Sequence, residues 1–99
     1  MIDWSRIVGF QWDDGNSHKS RIKHRVGQNE AEEIFFREPL VIAGDARHSE
    51  TEVRFHALGA TSEGRRLHVT FTLREGGARI RIISARDMNQ KERNVYAKA

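Results

Sequence analysis

The alternation of apolar and polar residues is clearest over residues 65–86. The first half of this stretch carries an apolar side chain at every second position, namely Leu67, Val69, Phe71 and Leu73. A period of two is typical of a β-strand with one buried face. The glycines at 76 and 77 can supply the positive φ of a tight turn, and a two-residue loop there places Phe71 opposite Ile82. The stretch therefore predicts a β-hairpin with one apolar face.

The reverse face of the predicted hairpin is basic. In the same register Arg74 lies opposite Arg79, and Thr72 lies opposite Arg81. Like charges placed directly opposite each other are destabilising. The arginines therefore either extend separately into water or bind an anion, and the hairpin by itself leaves both interpretations open.

Weaker patterns predict the elements around the hairpin. We expect strands at 7–12, 40–43 and 53–60, a basic helix at 18–25 and a second helix that ends before Pro39. The expected N-caps of these helices are Ser17 and Asn29, and a turn is expected at 44–45. A final helix should follow Asn89, with Glu92 at the spacing of a capping box.

This order of elements predicts an α+β fold. Two N-terminal helices precede an antiparallel meander of three to four strands, and one C-terminal helix follows it. We expect the helices to pack on one face of a curved antiparallel β-sheet. A chain of 99 residues is expected to form a single domain over 1–99.

Composition argues against several classes of protein. No apolar run approaches the ~18 residues of a membrane helix, and no signal-peptide pattern opens the chain, so we expect a cytoplasmic protein. The absence of cysteine excludes a disulfide framework and a thiolate zinc site. The histidine pairs 18/24 and 48/56 do not place two rings on one face of a helical turn. We therefore expect neither a metal nor a cofactor.

Charge is distributed unevenly along the chain. Residues 65–99 carry nine Lys and Arg against three Asp and Glu, whereas residues 1–64 carry eight against eleven. A basic C-terminal third favours an anion-binding surface, and nucleic acid is the commonest large anion that fits one.

Several segments carry a more specific signal: FQWDDGN at 10–16, EAEEIFF at 30–36, GRRL at 64–67 and IRIISARDM at 80–88. In their order and spacing they resemble the BrnT toxins of BrnT–BrnA toxin–antitoxin modules, over residues 10–96. The chain departs from that family's pattern in the first helix. Arg25 stands where a glycine is usual, and Ser20 stands where an asparagine is common.

The resemblance implies a RelE-like ribonuclease fold and a toxin that cleaves RNA and arrests growth. It also implies a BrnA-like antitoxin partner with a ribbon-helix-helix part. In such a complex, operator DNA is bound only through the antitoxin.

Metal-independent RNA cleavage requires a group that takes the 2′-hydroxyl proton and cations that stabilise the phosphorane. Guanidinium groups suit the second task because they hold phosphate oxygens bidentately. We expect Arg74, Arg81 and Arg86 to bind phosphate, with Thr72 donating a hydrogen bond. Further RNA contacts are expected from the following residues: Arg66, Arg79, Lys23 and His24.

The proton-transfer group is left open at this point. His68 lies on the polar side of its strand and is the simplest candidate. His24 and, on the final helix, Lys91 or Tyr96 are alternatives. The rival interpretation of the whole chain is a catalytically inactive module that uses the same basic face to bind nucleic acid or an acidic protein.

Overall fold

The computed structural model describes residues 2–46 and 52–99. Its elements are β1 (Gly9–Phe10), α1 (Lys19–His24), α2 (Gln28–Glu33), β2 (Val41–Asp45), β3 (Arg54–Ala60), β4 (Arg66–Arg74), β5 (Arg79–Asp87) and α3 (Gln90–Ala97). The strands form one sheet in the order β1-β5-β4-β3-β2. The predicted α+β class is confirmed, and so is the antiparallel meander, which has four strands. The expectation that the helices share one face is wrong, because α2 packs on the core face and α3 lies against the opposite face. The sheet as a whole is mixed, because β1 pairs in parallel with β5.

The hairpin of β4 and β5 has the predicted register next to its turn. Arg74 pairs with Arg79, and Phe71 pairs with Ile82. The loop, however, spans residues 75–78 rather than two glycines, and Gly76 and Gly77 both have positive φ, 67° and 96°. Beyond Phe71 the register shifts by one residue, so that Thr70 pairs with Ser84. Because of this bulge, residues that pair beyond it, such as Thr70 and Ser84, lie on the same face of the sheet.

Several predicted boundaries are wrong. The first strand covers only Gly9–Phe10 of the expected 7–12. The N-cap of α1 is His18, not Ser17, whose N–H donates to the Asp13 carbonyl in the preceding turn. The second helix begins two residues early, with Gly27 in the cap position in place of Asn29 and with the Gly27 N–H donating to the Glu30 carboxylate. Strand β2 continues through the expected turn at 44–45 because it pairs with β3 along its whole length.

The capping box of α3 is confirmed. The Asn89 side chain accepts from the Glu92 N–H at 2.9 Å, and the Glu92 carboxylate accepts from the Asn89 N–H at 2.9 Å. Reciprocal bonds of this kind satisfy two donors that the helix itself cannot pair. They also fix the Glu92 side chain at the start of α3.

The core lies on the apolar face of the sheet. Ile34 and Phe35, which follow α2 in a 3-10 turn, cover it. The Phe35 ring meets Phe71 edge-on at 5.1 Å between centroids, and Phe55 stacks on Phe71 at 5.4 Å. At Gly59 the turn approaches the sheet so closely that an added Cβ would lie 2.7 Å from the Ile34 Cβ. A glycine is needed there for close packing.

A Gly59→Ala variant is therefore expected to lower the free energy of unfolding by about 1–3 kcal/mol, the usual range for an overpacked core. Gly44→Ala in the adjacent strand is the matched control, because a Cβ there meets no atom within 4 Å. Urea denaturation of both variants measures the difference. Equal stabilities for the two would contradict the close contact between Gly59 and Ile34.

The part of β5 that β1 does not reach is covered by side chains. The buried Asn16 donates from Nδ2 to the Ile82 carbonyl at 2.9 Å, and the Ser20 hydroxyl accepts from the Ala85 N–H at 2.7 Å. These bonds satisfy backbone groups that an exposed edge would leave open. They hold α1 along the β5 edge. From α1, Lys19 reaches the face of the sheet opposite the core.

Candidate functional site on the polar face of the sheet

The face of the sheet opposite the core is called the polar face here. Strand pairing arranges it in cross-strand rows. One row joins Leu58, His68 and Arg86, the next joins His56, Thr70 and Ser84, and a third joins Asp45, Arg54, Thr72 and Arg81. Arg74 and Arg79 form the last pair beside the hairpin loop. Histidines, hydroxyls and guanidinium groups thus share one surface.

Four hairpin arginines on this face each form an ion pair with a carboxylate. The pairs are Arg74–Glu52 at 3.0 Å, Arg79–Glu75 at 3.1 Å, Arg81–Asp13 at 2.9 Å and Arg86–Glu92 at 2.8 Å. The repulsion expected from opposed arginines is therefore offset by acids from four different segments. The predicted phosphate-binding residues are brought to one face, and each is held in a fixed orientation.

Arg81 is the most firmly held of these arginines. Its two terminal nitrogens donate to both Asp13 oxygens at 2.9 and 3.0 Å, and Nη1 also donates to Gln11. The side chain is only 14% exposed. Its hydrogen bonds are the main cause that lowers the pKa of Asp13.

Thr72 lies in the same row but is 1% exposed. Its hydroxyl donates to the Val53 carbonyl at 2.7 Å. The side chain predicted to donate to RNA thus holds β4 to the start of β3.

His68 and Arg86 lie where α3 covers the polar face. Glu92 of α3 forms a bidentate pair with Arg86 at 2.8 and 2.9 Å and lies 3.7 Å from His68 Nε2. Burial, and next the Arg86 charge, lower the pKa of His68, whose side chain is 12% exposed. Hydrogen bonds from Arg86 hold the pKa of Glu92 at about 2.

A Glu92→Gln variant should be less stable by about 1–2 kcal/mol at pH 7, because the amide keeps the capping acceptor but leaves the Arg86 charge without its partner. The depressed pKa of Glu92 gives stability that is present above its unfolded value near 4.5 and is lost as the pH falls toward 2. The unfolding free energy of E92Q should therefore depend less on pH between 5 and 2. Glu63→Gln, at an exposed turn, is the control. If the unfolding free energies of E92Q and the unchanged protein changed equally with pH, this role of Glu92 would be contradicted.

The other predicted site residues lie outside this arrangement of rows. Arg66 and Lys91 are exposed, at the start of β4 and of α3. Lys23 and His24 lie at the end of α1 opposite to Lys19, and the His24 carbonyl accepts from Arg65. The Tyr96 hydroxyl donates to the Pro39 carbonyl at 2.8 Å, and burial raises the pKa of Tyr96.

Sequence reasoning missed one hydrogen-bonded polar group of the face, His56. Its Nε2 lies 2.9 Å from Asp45 Oδ2, its Nδ1 lies 3.0 Å from the Thr70 hydroxyl, and its ring centroid is 4.8 Å from that of His68. Alternation over 53–60 placed His56 on the polar side. Asp45, however, was expected in a turn, so nothing in the pattern joined the two.

A cleft of about 390 Å³ opens above this group. Its polar lining comes from α1 and four strands and consists of Lys19, Asp45, Arg54, His56, Thr70 and Ser84. Within residues 2–46 and 52–99, Lys19 forms no ion pair. The cleft therefore combines a cation, hydroxyls and an oriented imidazole.

Over the same described residues no cluster of three or more His, Asp or Glu side chains could hold a metal ion. The expectation that His48 and His56 form no metal-binding pair stays a prediction, because residue 48 lies outside the described residues. None of the helices described here is long and apolar enough to cross a membrane.

Comparison with known proteins gives one family. A family model described as the ribonuclease toxin BrnT of type II toxin–antitoxin systems matches residues 12–92. No curated protein matches the sequence significantly. The matched region includes β2–β5, α1, α2 and the first turn of α3, and so every element of the polar face. The chain therefore belongs to the BrnT family of ribonuclease toxins of type II toxin–antitoxin systems.

Proposed function

We propose that this toxin is a metal-independent endoribonuclease that cuts mRNA on the polar face of its sheet and thereby inhibits translation and growth. The observation that carries the proposal is the gathering of Arg74, Arg81 and Arg86 around hydroxyl and imidazole groups on one surface. Such a set supplies the phosphate binding and proton transfer that RNA cleavage requires.

The ion pairs of these arginines are compatible with phosphate binding. A guanidinium has five N–H donors, and a bidentate carboxylate occupies two of them. Glu92 and Asp13 therefore orient Arg86 and Arg81 and leave donors for phosphate oxygens. Lys19 and Arg66, which form no ion pairs with the described residues, add positive charge to the same side. Arg79 supplies a further RNA contact at the hairpin end.

The roles of the remaining predicted residues are secondary in this proposal. Thr72 positions β4 through its bond to Val53. His68 and Lys91 are candidates for proton transfer at the end covered by α3. Lys23 and His24 would contact RNA beyond the cleft, on the far end of α1.

The test is cleavage of a labelled RNA in EDTA by the purified full chain, alone and in a translating extract. We expect cleavage in EDTA, with 2′,3′-cyclic phosphate and 5′-hydroxyl ends. An R81A preparation purified in the same way controls for contaminating nuclease. Absence of cleavage under both conditions would refute the enzyme, and RNA binding without cleavage would establish the inactive binding module instead. Cleavage only after magnesium is restored would refute metal independence.

We further propose that the antitoxin is a BrnA-like ribbon-helix-helix protein and that operator DNA is bound through it. Type II systems pair the toxin with a protein antitoxin, which supports a hetero-oligomer. The adjacent reading frame should encode a short ribbon-helix-helix protein. Its product, co-expressed with this chain, should co-purify with it and abolish RNA cleavage.

A further inference from the structure

We propose that His56, oriented by Asp45 and Thr70, is the general base of RNA cleavage, and that Lys19 binds the scissile phosphate in the cleft above it. This inference rests on the proposed ribonuclease function. It assigns the proton transfer to a residue that neither the family match nor the sequence pattern indicates.

The hydrogen bonds of His56 fix its tautomer. An ionised carboxylate can only accept, so the neutral tautomer that this contact favours has its proton on Nε2, 2.9 Å from Asp45 Oδ2. Nδ1 then carries a lone pair, and it accepts the hydrogen of the Thr70 hydroxyl at 3.0 Å. An imidazole held by a carboxylate on one side and open to a hydroxyl on the other is arranged to take a proton from that hydroxyl.

Exposure separates the two neighbouring histidines. The His56 side chain is 33% exposed and its Asp45 partner 9%, so the ring reaches solvent while its carboxylate is sheltered. The His68 side chain is 12% exposed and lies against Glu92 of α3. Of the two rings, which lie 4.8 Å apart, His56 is the one that a substrate can reach.

The cleft supplies the groups that a phosphodiester needs beside the base. Lys19 enters it from α1, and the Thr70 and Ser84 hydroxyls line its floor. Arg54 of β3 pairs with Asp45 of β2, in the cross-strand row next to the row of His56. A cation and hydroxyl donors aimed at one small volume stabilise the charge that develops on a phosphorane.

The substrate 2′-hydroxyl replaces the Thr70 hydroxyl at Nδ1 and gives its proton to that nitrogen, while the 2′-oxygen forms a bond to phosphorus. The bond between phosphorus and the 5′-oxygen breaks, and the leaving oxygen keeps the electron pair and takes a proton from solvent. The products are a 2′,3′-cyclic phosphate and a 5′-hydroxyl, and imidazolium, stabilised by Asp45, returns its proton to water.

The first test is the single-turnover cleavage rate of His56→Gln, with His18→Gln as matched control, because the His18 side chain is exposed and makes no capping hydrogen bond. Loss of a general base typically costs about 10²–10⁴-fold. We expect a loss in this range for H56Q, with RNA binding by fluorescence anisotropy unchanged, and a rate within threefold of the unchanged protein for H18Q. Cleavage by H56Q within threefold of the unchanged protein overturns the inference and leaves the ribonuclease function standing. No cleavage by the unchanged protein, alone or in a translating extract, refutes both.

A second measurement distinguishes loss of the base from misfolding of H56Q. In a His56→Ala variant, added imidazole should restore part of the cleavage rate, whereas H18A and the unchanged protein should not respond. Asp45→Asn should lower kcat by about tenfold to a hundredfold with KM within twofold, as expected for a positioning residue. Lys19→Gln should instead raise KM as well as lower kcat. Failure of imidazole to restore any cleavage by a folded H56A protein counts against the base.

A substrate with a sulfur leaving group shows whether His56 acts as a general base or as a general acid. When sulfur replaces the bridging 5′-oxygen, the leaving group needs no proton. A base remains necessary, so H56Q should be as impaired on this substrate as on ordinary RNA. Full recovery of H56Q on the sulfur substrate would assign the acid role to His56 and overturn the inference.

Discussion

An Arg81→Ala variant is expected to cleave RNA about 10²–10³ times more slowly than the unchanged protein, the usual cost of removing one donor to a developing oxyanion. Arg81 lies in the row beside the His56 cleft, and Asp13 and Gln11 fix its guanidinium before substrate arrives. A cation that is already oriented contributes its full charge to the phosphorane without a reorganisation cost. Single-turnover kinetics on a short RNA measure the loss.

Two further variants define the cause of that loss. Arg81→Lys keeps the charge but not the bidentate geometry, so it should recover only part of the rate. Arg79→Ala, on the same strand beside the hairpin loop, should weaken RNA binding by a few-fold and leave the cleavage step nearly unchanged. Since Asp13 is largely exposed, R81A should fold normally. An R81A rate within threefold of the unchanged protein would remove Arg81 from the site.

The largest effect on stability is expected at Arg65, which joins three elements. Its guanidinium donates to both Asp87 oxygens, to both Glu30 oxygens and to the Arg25 carbonyl, at 2.8–3.1 Å. Arg65→Met should lower the unfolding free energy by about 2–3 kcal/mol, because two carboxylates and a carbonyl lose their donors while the partly exposed site limits the cost. Urea denaturation at pH 7 measures it.

Arg66→Met is the matched control for Arg65, since the neighbouring side chain is exposed and forms no ion pair with the described residues. Its effect should stay within about 0.5 kcal/mol. Hydrogen bonds from Arg65 are the main cause that lowers the pKa of Asp87. The pH dependence of stability is therefore a second measurement of this pair. The stability that this pair gives is present at neutral pH and is lost as the pH falls through the lowered pKa, so R65M should lose less stability in acid. Equal stability of R65M and R66M would contradict the role of Arg65.

Local patterns predicted the elements that depend on neighbouring residues. The alternation in β4 and the glycine pair gave the hairpin register next to its turn, and Asn89 with Glu92 gave the start of α3. Both are decided within a few residues of chain, where periodicity and capping chemistry act. The BrnT resemblance, which the family match confirms, comes from the same local segments.

Boundaries were wrong where a distant partner completed the element. Strand β2 extends through Gly44 because β3 pairs with it, and β1 joins the sheet in parallel because β5 offers an edge there. Arg25 ends α1 with a left-handed φ of 56° at the position where the family usually has glycine. Its carbonyl accepts from Arg65, forty residues away.

By itself the sequence determined that this chain is an α+β protein with a basic hairpin face, and its motifs indicated the ribonuclease toxin family. Only the tertiary structure decided how that face is used. It paired Arg74, Arg79, Arg81 and Arg86 with acids, covered much of His68 with α3, and brought Asp45 of β2 against His56 of β3. Periodicity reports which face a side chain occupies, whereas the partner that orients it is chosen by strand order and register. These come from packing the whole chain.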